Sequence, residues 1–395
     1  RVNSSGLVET VELLGSELIT DGNFPTPNVN WTIQGGASTT WVINNNIATR
    51  TGSANWGLFQ NITRTVGSLY KITFNVLTYT SGTLAIVLGG VVANVVSGTG
   101  SKTLYLIWDG STDRFSLQNN FIGSISNISV KEVTRNNLAR VDYNGTASSL
   151  LVEPQRTNEV NYSEDFSQWT PVSSHTTISN TTLSNPSGVS DVGLAEATAG
   201  TSVKYFIEAA VSTVKSTVSI YLKYNSHQWV QITGLGGKTS YANFDIQNGV
   251  LGNSSGGTSK ITLFGDGWYR CELSESADQN GSNIAVALVT SGTSSRLSNT
   301  TLTGSIYMWG AQLEAGSYAT SYIPTSGSTV TRVQDQYSKT GISNLINSEE
   351  GVLFVEWKPK LSSDYSFISI NNGSITDSVI IGKSNNTTNM FIAVR

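Results

Sequence analysis

Pairs of acidic residues are the first feature of this sequence that could carry catalysis. Glycoside hydrolysis generally uses two carboxyl groups that face each other across a sugar. The chain contains two adjacent pairs, Glu164–Asp165 and Glu349–Glu350. Because neighbouring residues of a strand point to opposite faces, neither pair predicts such a site.

Two glycine-containing motifs and two histidines could also do chemistry. Gly252–Gly256 satisfies the G-x-S-x-G pattern, which requires a strand-to-helix turn. Gly234–Thr239 resembles the end of a phosphate-binding loop, but Ile232 stands where its first glycine belongs. No helical pattern follows either motif, so we interpret the first as a loop and the second as a turn. His175 and His227 lack metal-binding spacing and are interpreted as ordinary polar residues. The sequence therefore predicts a protein that is not an enzyme.

Sugar binding has a firmer physical basis, because sugar rings stack on exposed aromatic faces while short polar side chains bind their hydroxyl groups. Candidate residues for such a face lie in strand-like segments rich in Asn and Ser, and they are Trp41, Trp56, Gln60 and Trp229. Packing in a core or an interface is the alternative for each tryptophan. Trp31, Trp169, Trp268 and Trp309 are assigned to cores.

Composition and charge exclude several classes of partner. Charged residues make up 13% of the chain and the net charge is −4, without a run of Lys or Arg, so nucleic-acid binding is not expected. The most apolar stretch, Leu84 to Val96, is too short for a membrane-spanning helix, and membrane insertion is not expected. The single cysteine, Cys271, allows no internal disulfide and reads as a small buried residue. The chain begins with Arg1 and is expected to be a segment of a longer protein.

The elements that would position these residues are β-strands. Tyr70, Ile72, Phe74 and Val76 alternate with polar residues, as on a half-buried strand. The same alternation recurs around Val218 to Tyr224 and opens a third region near Glu350 at Leu353, Val355 and Trp357. Turn dipeptides separate many of these runs, at Asp109–Gly110, Asn144–Gly145, Asp266–Gly267 and Asn372–Gly373. The pattern predicts an all-β fold of antiparallel sandwiches.

An internal repeat defines the predicted domains. The segment from Glu17 to Thr32 carries Phe24 and Trp31, and the segment from Glu159 to Thr170 carries Phe166 and Trp169. The two copies also end alike, in strands that follow Gly123–Ser124–Ile125 and Gly304–Ser305–Ile306. We therefore predict a connector at 1–13, a first jelly-roll domain at 14–135, a connector at 136–158, a second jelly-roll domain at 159–335 and an incomplete third β-sandwich at 336–395.

Several of these segments together resemble a recurring module of bacteriophage virion proteins. The resemblance covers most of the chain, and the segments that carry it are Val2–Glu9, Arg140–Tyr143, Leu150–Asn158, Gly267–Arg270, Trp309–Glu314, Thr320–Thr325 and Val330–Arg332. The module is similar to jelly-roll carbohydrate-binding modules of the family 4/9 type. In phage proteins it often precedes a concanavalin-A-like or laminin-G-like sandwich, which would correspond to the third region.

The resemblance carries further expectations. In the family, the segment like Val2–Glu9 usually runs almost directly into the one like Arg140–Asn158, so the first jelly roll is expected to be an insertion between two parts of a connector. Jelly rolls of this type often hold a structural calcium ion, for which Asp21, Asn23 and Asn127 are the candidate ligands. Asn127 stands where the family usually has an acidic residue. No other cofactor is expected.

The leading functional hypothesis is a non-enzymatic structural and adhesion protein of a phage particle, part of a tail fibre, head fibre or spike. Its expected partners are other virion proteins, copies of itself in a homotrimer, and a host-surface glycan bound multivalently. Two alternatives stay open. The chain could supply accessory sugar-binding domains to a secreted bacterial polysaccharide-processing protein, or it could be a purely architectural virion protein.

Overall fold

The structure is a computed structural model that describes residues 1–27, 29–34, 41–52, 57–96, 98–135, 138–345, 350, 352, 354–356, 366–374, 376–383 and 390–394. The regular structure in these residues consists of antiparallel β-strands and two single-turn 3₁₀ helices, Phe166–Gln168 and Ser343–Leu345. The all-β prediction is confirmed. Two compact units are present: Arg1 with Glu9–Arg140, and Val2–Val8 with Val141–Arg395.

The first unit contains two sheets on a common core. Its strands are β1 (Leu13–Glu17), β2 (Thr32–Ile33), β3 (Trp41–Asn44), β4 (Ile47–Arg50), β5 (Leu58–Asn61), β6 (Leu69–Ser81), β7 (Thr83–Leu88), β8 (Val91–Val96), β9 (Gly100–Ile107), β10 (Arg114–Gln118) and β11 (Ile122–Thr134). One sheet has the order β3-β4-β11-β6-β9, with β1 also pairing β11, and the other has the order β2-β5-β10-β7-β8. Residues from both sheets form one buried cluster, as in a β-sandwich.

Alternation along β6 explains how the first sheet meets this core. Tyr70, Ile72, Phe74 and Val76 are buried, while the polar residues between them lie on the other face. This is the arrangement that the period-two pattern predicts.

Short strands lead from the first unit into the second. They are β12 (Arg140–Asn144), β13 (Ala147–Leu151) and β14 (Arg156–Asn158). The turn predicted at Asn144–Gly145 joins β12 to β13, which pair with each other. Strand β14 pairs with a later strand of the second unit, at Val330–Arg332.

The second unit contains two six-stranded sheets. Its strands are β15 (Thr170–Pro171), β16 (Thr176–Ser184), β17 (Ser190–Ala197), β18 (Lys204–Ser212), β19 (Ser216–Tyr224), β20 (Trp229–Leu235), β21 (Tyr241–Asp245), β22 (Val250–Ser255), β23 (Gly257–Phe264), β24 (Trp268–Glu275), β25 (Gly281–Leu288), β26 (Gly304–Ala315) and β27 (Val330–Arg332). The orders are β15-β18-β25-β20-β21-β22 and β16-β17-β26-β19-β24-β23. Both sheets contribute to a single large buried cluster.

The repeat read from the sequence has matching geometry in the two units. The ring centroids of Phe24 and Trp31 are 5.1 Å apart, and those of Phe166 and Trp169 are 5.0 Å apart. In each unit the indole N–H donates to a backbone oxygen that precedes the phenylalanine, that of Asp21 or that of Tyr162, at 2.9 Å. The assignment of Trp31, Trp169, Trp268 and Trp309 to cores is confirmed, since all four are buried.

The third region is described only in part. Residues 350, 352 and 354–356 lie outside any strand, and Leu353 and Trp357 fall outside the described residues. Among the described residues of this region, the strands are β28 (Ser366–Asn371), β29 (Ser378–Lys383) and β30 (Met390–Val394), which form one antiparallel sheet. The predicted turn at Asn372–Gly373 joins β28 to β29.

Candidate functional site

The turn with the glycine-rich motif carries a lysine into the interior of the second unit. The ammonium of Lys238 lies 2.7 Å from both carboxylate oxygens of Glu275, and the two side chains are 1% and 3% exposed. The same ammonium donates to the Ser216 hydroxyl at 2.9 Å, and that hydroxyl donates to Glu275 at 2.8 Å. The charges are therefore compensated within a closed network, and Lys238 has no access to a phosphate.

A long loop covers the outer face of the sheet that contains β20 and β21. We name residues Val289–Leu297 the strap. Val230 and Phe244 face the core, so Gln231 and Asn243 lie on the opposite face, beneath the strap. Asn243 donates to the carbonyls of Gly292 and Ser294 at 3.0 and 2.8 Å.

Gln231 and Arg296 complete the attachment of the strap. The Gln231 amide accepts from the N–H of Leu297 at 2.8 Å and donates to the carbonyl of Ser295 at 3.2 Å. Arg296, in the strap, donates to the Thr233 hydroxyl at 2.8 Å. The strap therefore occupies the hydrogen-bonding groups of Gln231, Thr233 and Asn243, which a ligand on this face would otherwise use.

Trp229 lies at the edge of the covered face. Its side chain is half-buried, and a Cβ at Gly292 would fall 2.6 Å from the indole ring. The ring therefore packs directly on the strap backbone. Because Trp229 is only half-buried, it stays a candidate contact for a sugar.

The other predicted sugar-binding residues belong to the first unit. Trp41 is 2% exposed and its ring stacks near that of Phe121, so it has no free face for a sugar. Gln60 is 8% exposed, and its amide accepts from the N–H of Thr20 and donates to the Thr20 carbonyl, both at 2.8 Å. Trp56 lies outside the described residues. Trp41 and Gln60 are therefore buried residues that pack and form hydrogen bonds inside the first unit.

The candidate calcium ligands lie where the first turn of the first unit meets the last strand. The N–H of Ile128 donates to the Gly22 carbonyl at 2.8 Å, which brings the segments of Asp21, Asn23 and Asn127 together. The Asp21 carboxylate accepts a hydrogen bond from Asn30. Among the described residues, no group of three or more His, Cys, Asp or Glu side chains could hold a metal ion.

The histidines and acidic pairs have local structural partners. The Nε2 atom of His227 lies 3.0 Å from the carbonyls of Trp229 and Val289, and burial lowers the pKa of the ring. Glu164 accepts from the Tyr322 hydroxyl at 3.0 Å, whereas Asp165 caps the 3₁₀ helix that follows it. Glu349 lies outside the described residues.

The G-x-S-x-G segment is mostly strand, not the loop that its composition suggested. Gly252 to Ser255 belong to β22, and Gly256 follows with a φ of +71°. The strand forms because it pairs with β21, and Gly252 allows the Gly292 backbone to approach. Cys271, on β24, is fully buried and burial raises the pKa of its thiol well above the usual value, which keeps it protonated.

Sequence reasoning missed how the segments that carry the resemblance contact one another. Glu153 accepts from the N–H of Ser321 at 3.0 Å and forms an ion pair with Arg332 at 3.2 Å. Asn158 donates to the Ile323 carbonyl at 2.8 Å and accepts from the N–H of Leu313 at 3.1 Å. We call Glu153, Asn158, Ser321 and Arg332 the clasp.

Further motif residues extend the clasp. Glu314, which is fully buried, accepts from the N–H of Thr320 at 2.9 Å, and Arg270 donates to the Thr320 carbonyl at 2.7 Å. The signal in the sequence was the resemblance that these separate segments share, which does not say how they contact one another. Their role here is to tie the chain around the second unit.

Comparisons with known proteins give no identification. The chain matches no family model, and it matches no curated protein. In the part of the chain that the structure describes, no helix has the length and apolar character needed to cross a membrane.

Proposed function

We propose that this protein is a non-enzymatic structural and adhesion component of a bacteriophage particle, a fibre or spike subunit that carries jelly-roll modules. The observation that carries the proposal is the clasp. The segments that resemble the phage module, Leu150–Asn158, Trp309–Glu314, Thr320–Thr325 and Val330–Arg332, meet in one hydrogen-bonded network. A network of this kind, which ties distant segments of the chain together, is what a structural protein needs.

The described chemistry-bearing groups support a role without catalysis. Lys238 and Glu275 neutralise each other in a closed interior, and Cys271 is buried. Glu164 and Asp165 bind different local partners, Tyr322 and a 3₁₀ helix. Each of these groups already has a structural task.

The proposed assembly is a homotrimer on the particle surface, in contact with other virion proteins. Light scattering of the purified chain after size-exclusion chromatography should give three times its mass of 42.2 kDa. Immunogold labelling should place the protein on the fibres or spikes of the particle. A monomer that is absent from particles would overturn the proposal.

The proposed adhesion is weak glycan binding, multiplied by several copies on one fibre. Trp229 is the candidate contact among the described residues, because it keeps part of its ring exposed beside the strap. A glycan array should give a signal that Trp229→Ala reduces and Tyr224→Ala does not. Tyr224 is a matched control, since it is an exposed aromatic residue, 36% accessible, on the other sheet of the same unit.

A purely architectural role is the second candidate, and the burial of Trp41 and Gln60 favours it. Both were candidate sugar contacts, and both are used inside the first unit. An array without signal, together with gold label on the particle, would select this function over adhesion.

A further inference from the structure

The tripeptide Gln-Asn-Gly occurs twice in the second unit, at Gln247–Gly249 and at Gln279–Gly281. In an Asn–Gly pair, the glycine nitrogen can attack the side-chain amide carbon of the asparagine, because glycine has no side chain that obstructs the approach. Asn372–Gly373 is a third such pair, and its asparagine is exposed like the other two. The side chain of Asn144, in a fourth pair, lies outside the described residues. Exposure therefore does not distinguish the three described pairs, whereas their hydrogen bonds do.

The pair Asn248–Gly249 is held at both of its reacting groups. The Asn248 side-chain amide donates to the Asp245 carboxylate at 2.9 Å, and the N–H of Gly249 donates to the Asp245 carbonyl at 2.9 Å. The Tyr269 ring also covers the glycine, since a Cβ at Gly249 would lie 2.6 Å from that ring. The glycine nitrogen and the amide must leave these contacts before they can react with each other, so this pair is expected to react slowly.

The pair Asn372–Gly373 is also held, but at the surface. The Asn372 side-chain amide donates to the Asp377 carboxylate at 2.9 Å, and the N–H of Gly373 donates to the Asn371 side chain at 2.9 Å. Both bonds are exposed, whereas Asp245, which holds Asn248, is 4% exposed. We therefore expect Asn372 to react faster than Asn248.

The pair Asn280–Gly281 has no such restraint on its side chain. In the part of the chain that the structure describes, the Asn280 side chain forms no hydrogen bond. Gly281 is the first residue of β25, and the register of β25 with β18 shifts at this end, between Ala209 and Ser212 of β18. The pairing of β25 with β20 stops at Asn283. Since the irregular end of a strand opens more readily than its middle, the Gly281 nitrogen can approach the Asn280 amide.

The backbone at Asn280 and Gly281 packs on the turn that carries Lys238. A Cβ at Gly281 would lie 2.5 Å from the Cε atom of Lys238, and a Cβ at Gly237 would lie 2.9 Å from the Asn280 carbonyl oxygen. The ammonium of the same lysine is bound to Glu275 in the interior. An additional main-chain atom at Asn280 would therefore displace the stem of Lys238 and disturb this ion pair.

We propose that Asn280 is a site of spontaneous modification, which converts to isoaspartate and aspartate faster than Asn248 and Asn372 do and thereby weakens the ion pair of Lys238. This inference is independent of the proposed virion function.

The reaction has two steps. The Gly281 nitrogen forms a bond to the side-chain amide carbon of Asn280, the carbon–nitrogen bond of that amide breaks, and the amide leaves as ammonia with the proton of the Gly281 N–H. Water then opens the resulting succinimide at either carbonyl. Opening at the side-chain carbonyl gives aspartate, and opening at the main-chain carbonyl gives isoaspartate, whose main chain is one carbon longer.

The test is peptide mapping by mass spectrometry of the purified chain during incubation at mildly alkaline pH. Conversion at Asn280 should be at least about tenfold faster than at Asn248. Tenfold corresponds to about 1.4 kcal/mol, which two hydrogen bonds together typically contribute. In concentrated urea the two asparagines should convert at similar rates, because each lies between Gln and Gly. The unfolded chain is thus the matched control for the folded one.

Two variants test the effect on the ion pair. The aged wild-type chain should unfold at a lower urea concentration than the fresh chain. Asn280→Gln should keep its midpoint on ageing, because the longer side chain forms the corresponding ring much more slowly. Asn280→Asp adds the negative charge without lengthening the main chain, and its midpoint should stay close to that of the fresh wild type.

Three results would overturn the inference. The first is conversion at Asn248 or Asn372 that is as fast as at Asn280 in the folded wild-type chain. The second is an equal loss of midpoint on ageing in the wild type and in Asn280→Gln. The third is a fresh Asn280→Asp variant whose midpoint is as low as that of the aged wild type. The comparison of rates uses the wild-type chain alone, so a variant that fails to fold leaves the site assignment testable.

Discussion

Lys238 and Glu275 form an ion pair inside the second unit, with the ammonium 2.7 Å from both carboxylate oxygens. Lys238→Met would leave the carboxylate buried without its counter-charge. We expect a loss of about 3–5 kcal/mol in the free energy of unfolding, measured by urea titration of the full chain. The double variant Lys238→Met with Glu275→Leu should lose less, since it buries no unpaired charge.

Lys260→Met is the control for this pair. Lys260 contacts Glu272 at 3.3 Å, but its side chain is 67% exposed, and exposed pairs contribute about 0–1 kcal/mol. Equal losses for Lys238→Met and Lys260→Met would contradict the role assigned to burial.

Gly193 allows close approach of the Phe166 ring. A Cβ at Gly193 would lie 2.4 Å from the ring, which belongs to the repeated phenylalanine–tryptophan pair. We expect Gly193→Ala to lower the free energy of unfolding by about 1–3 kcal/mol through overpacking. Gly265→Ala is the matched control, because nothing lies within 4 Å of its Cβ position. If both substitutions lower the free energy of unfolding by a similar amount, the close packing of Gly193 against Phe166 is not the cause of the loss.

The strand pattern and the repeated aromatic pairs were predictable because they are local. Alternation in β6 identified its buried face. A phenylalanine followed by a tryptophan occurs near the start of each unit, as Phe24 with Trp31 and as Phe166 with Trp169, and the two ring pairs pack alike. Strand β19 shows the limit of this reasoning. Tyr221 lies opposite its core face and is nevertheless 2% exposed, because Trp309 and Tyr322 pack on it. Alternation within one strand carries no information on what covers its second face.

The candidate site was less predictable for the same reason. Trp41 and Gln60 stand in polar segments, yet their partners are distant in sequence, as the bonds of Gln60 to Thr20 illustrate. The clasp joins Glu153 to Arg332 across almost the whole second unit. Residue types and spacing distinguish these segments in the sequence, but the hydrogen bonds between them follow from the folded sheets.

Glu208 gives the second unit a pH-dependent stability. Burial raises the pKa of this carboxyl group from the usual 4.5 to about 7. Between these values the folded state holds a proton that the unfolded state releases, so stability falls as pH rises from about 4.5 to 7. Glu208→Gln removes this dependence. The difference between the melting temperatures of the variant and of the wild type should therefore shift in favour of the variant as pH rises from 5 to 8.

Glu196→Gln is the control for the pH series. Glu196 is half-buried on β17, in the other sheet of the same unit. Its substitution should leave the wild-type dependence of melting temperature on pH in place. A Glu208→Gln variant whose melting temperature follows the wild-type curve at every pH would contradict the assignment.

The strap determines how much of the face around Trp229 a ligand can reach. Asn243 binds two strap carbonyls, those of Gly292 and Ser294, so Asn243→Ala should release the strap while Phe244 and the core side of β21 stay in place. We expect faster hydrogen–deuterium exchange across residues 289–297 and little change in the core strands. Asn283→Ala is the control. The Asn283 side chain accepts a hydrogen bond from the neighbouring Ser282 hydroxyl at 2.7 Å, and Ser282 is not part of the strap. A gain in glycan binding by Asn243→Ala would show that the strap restricts access to the face around Trp229. Faster exchange without a gain in binding would show that this face has a structural role only.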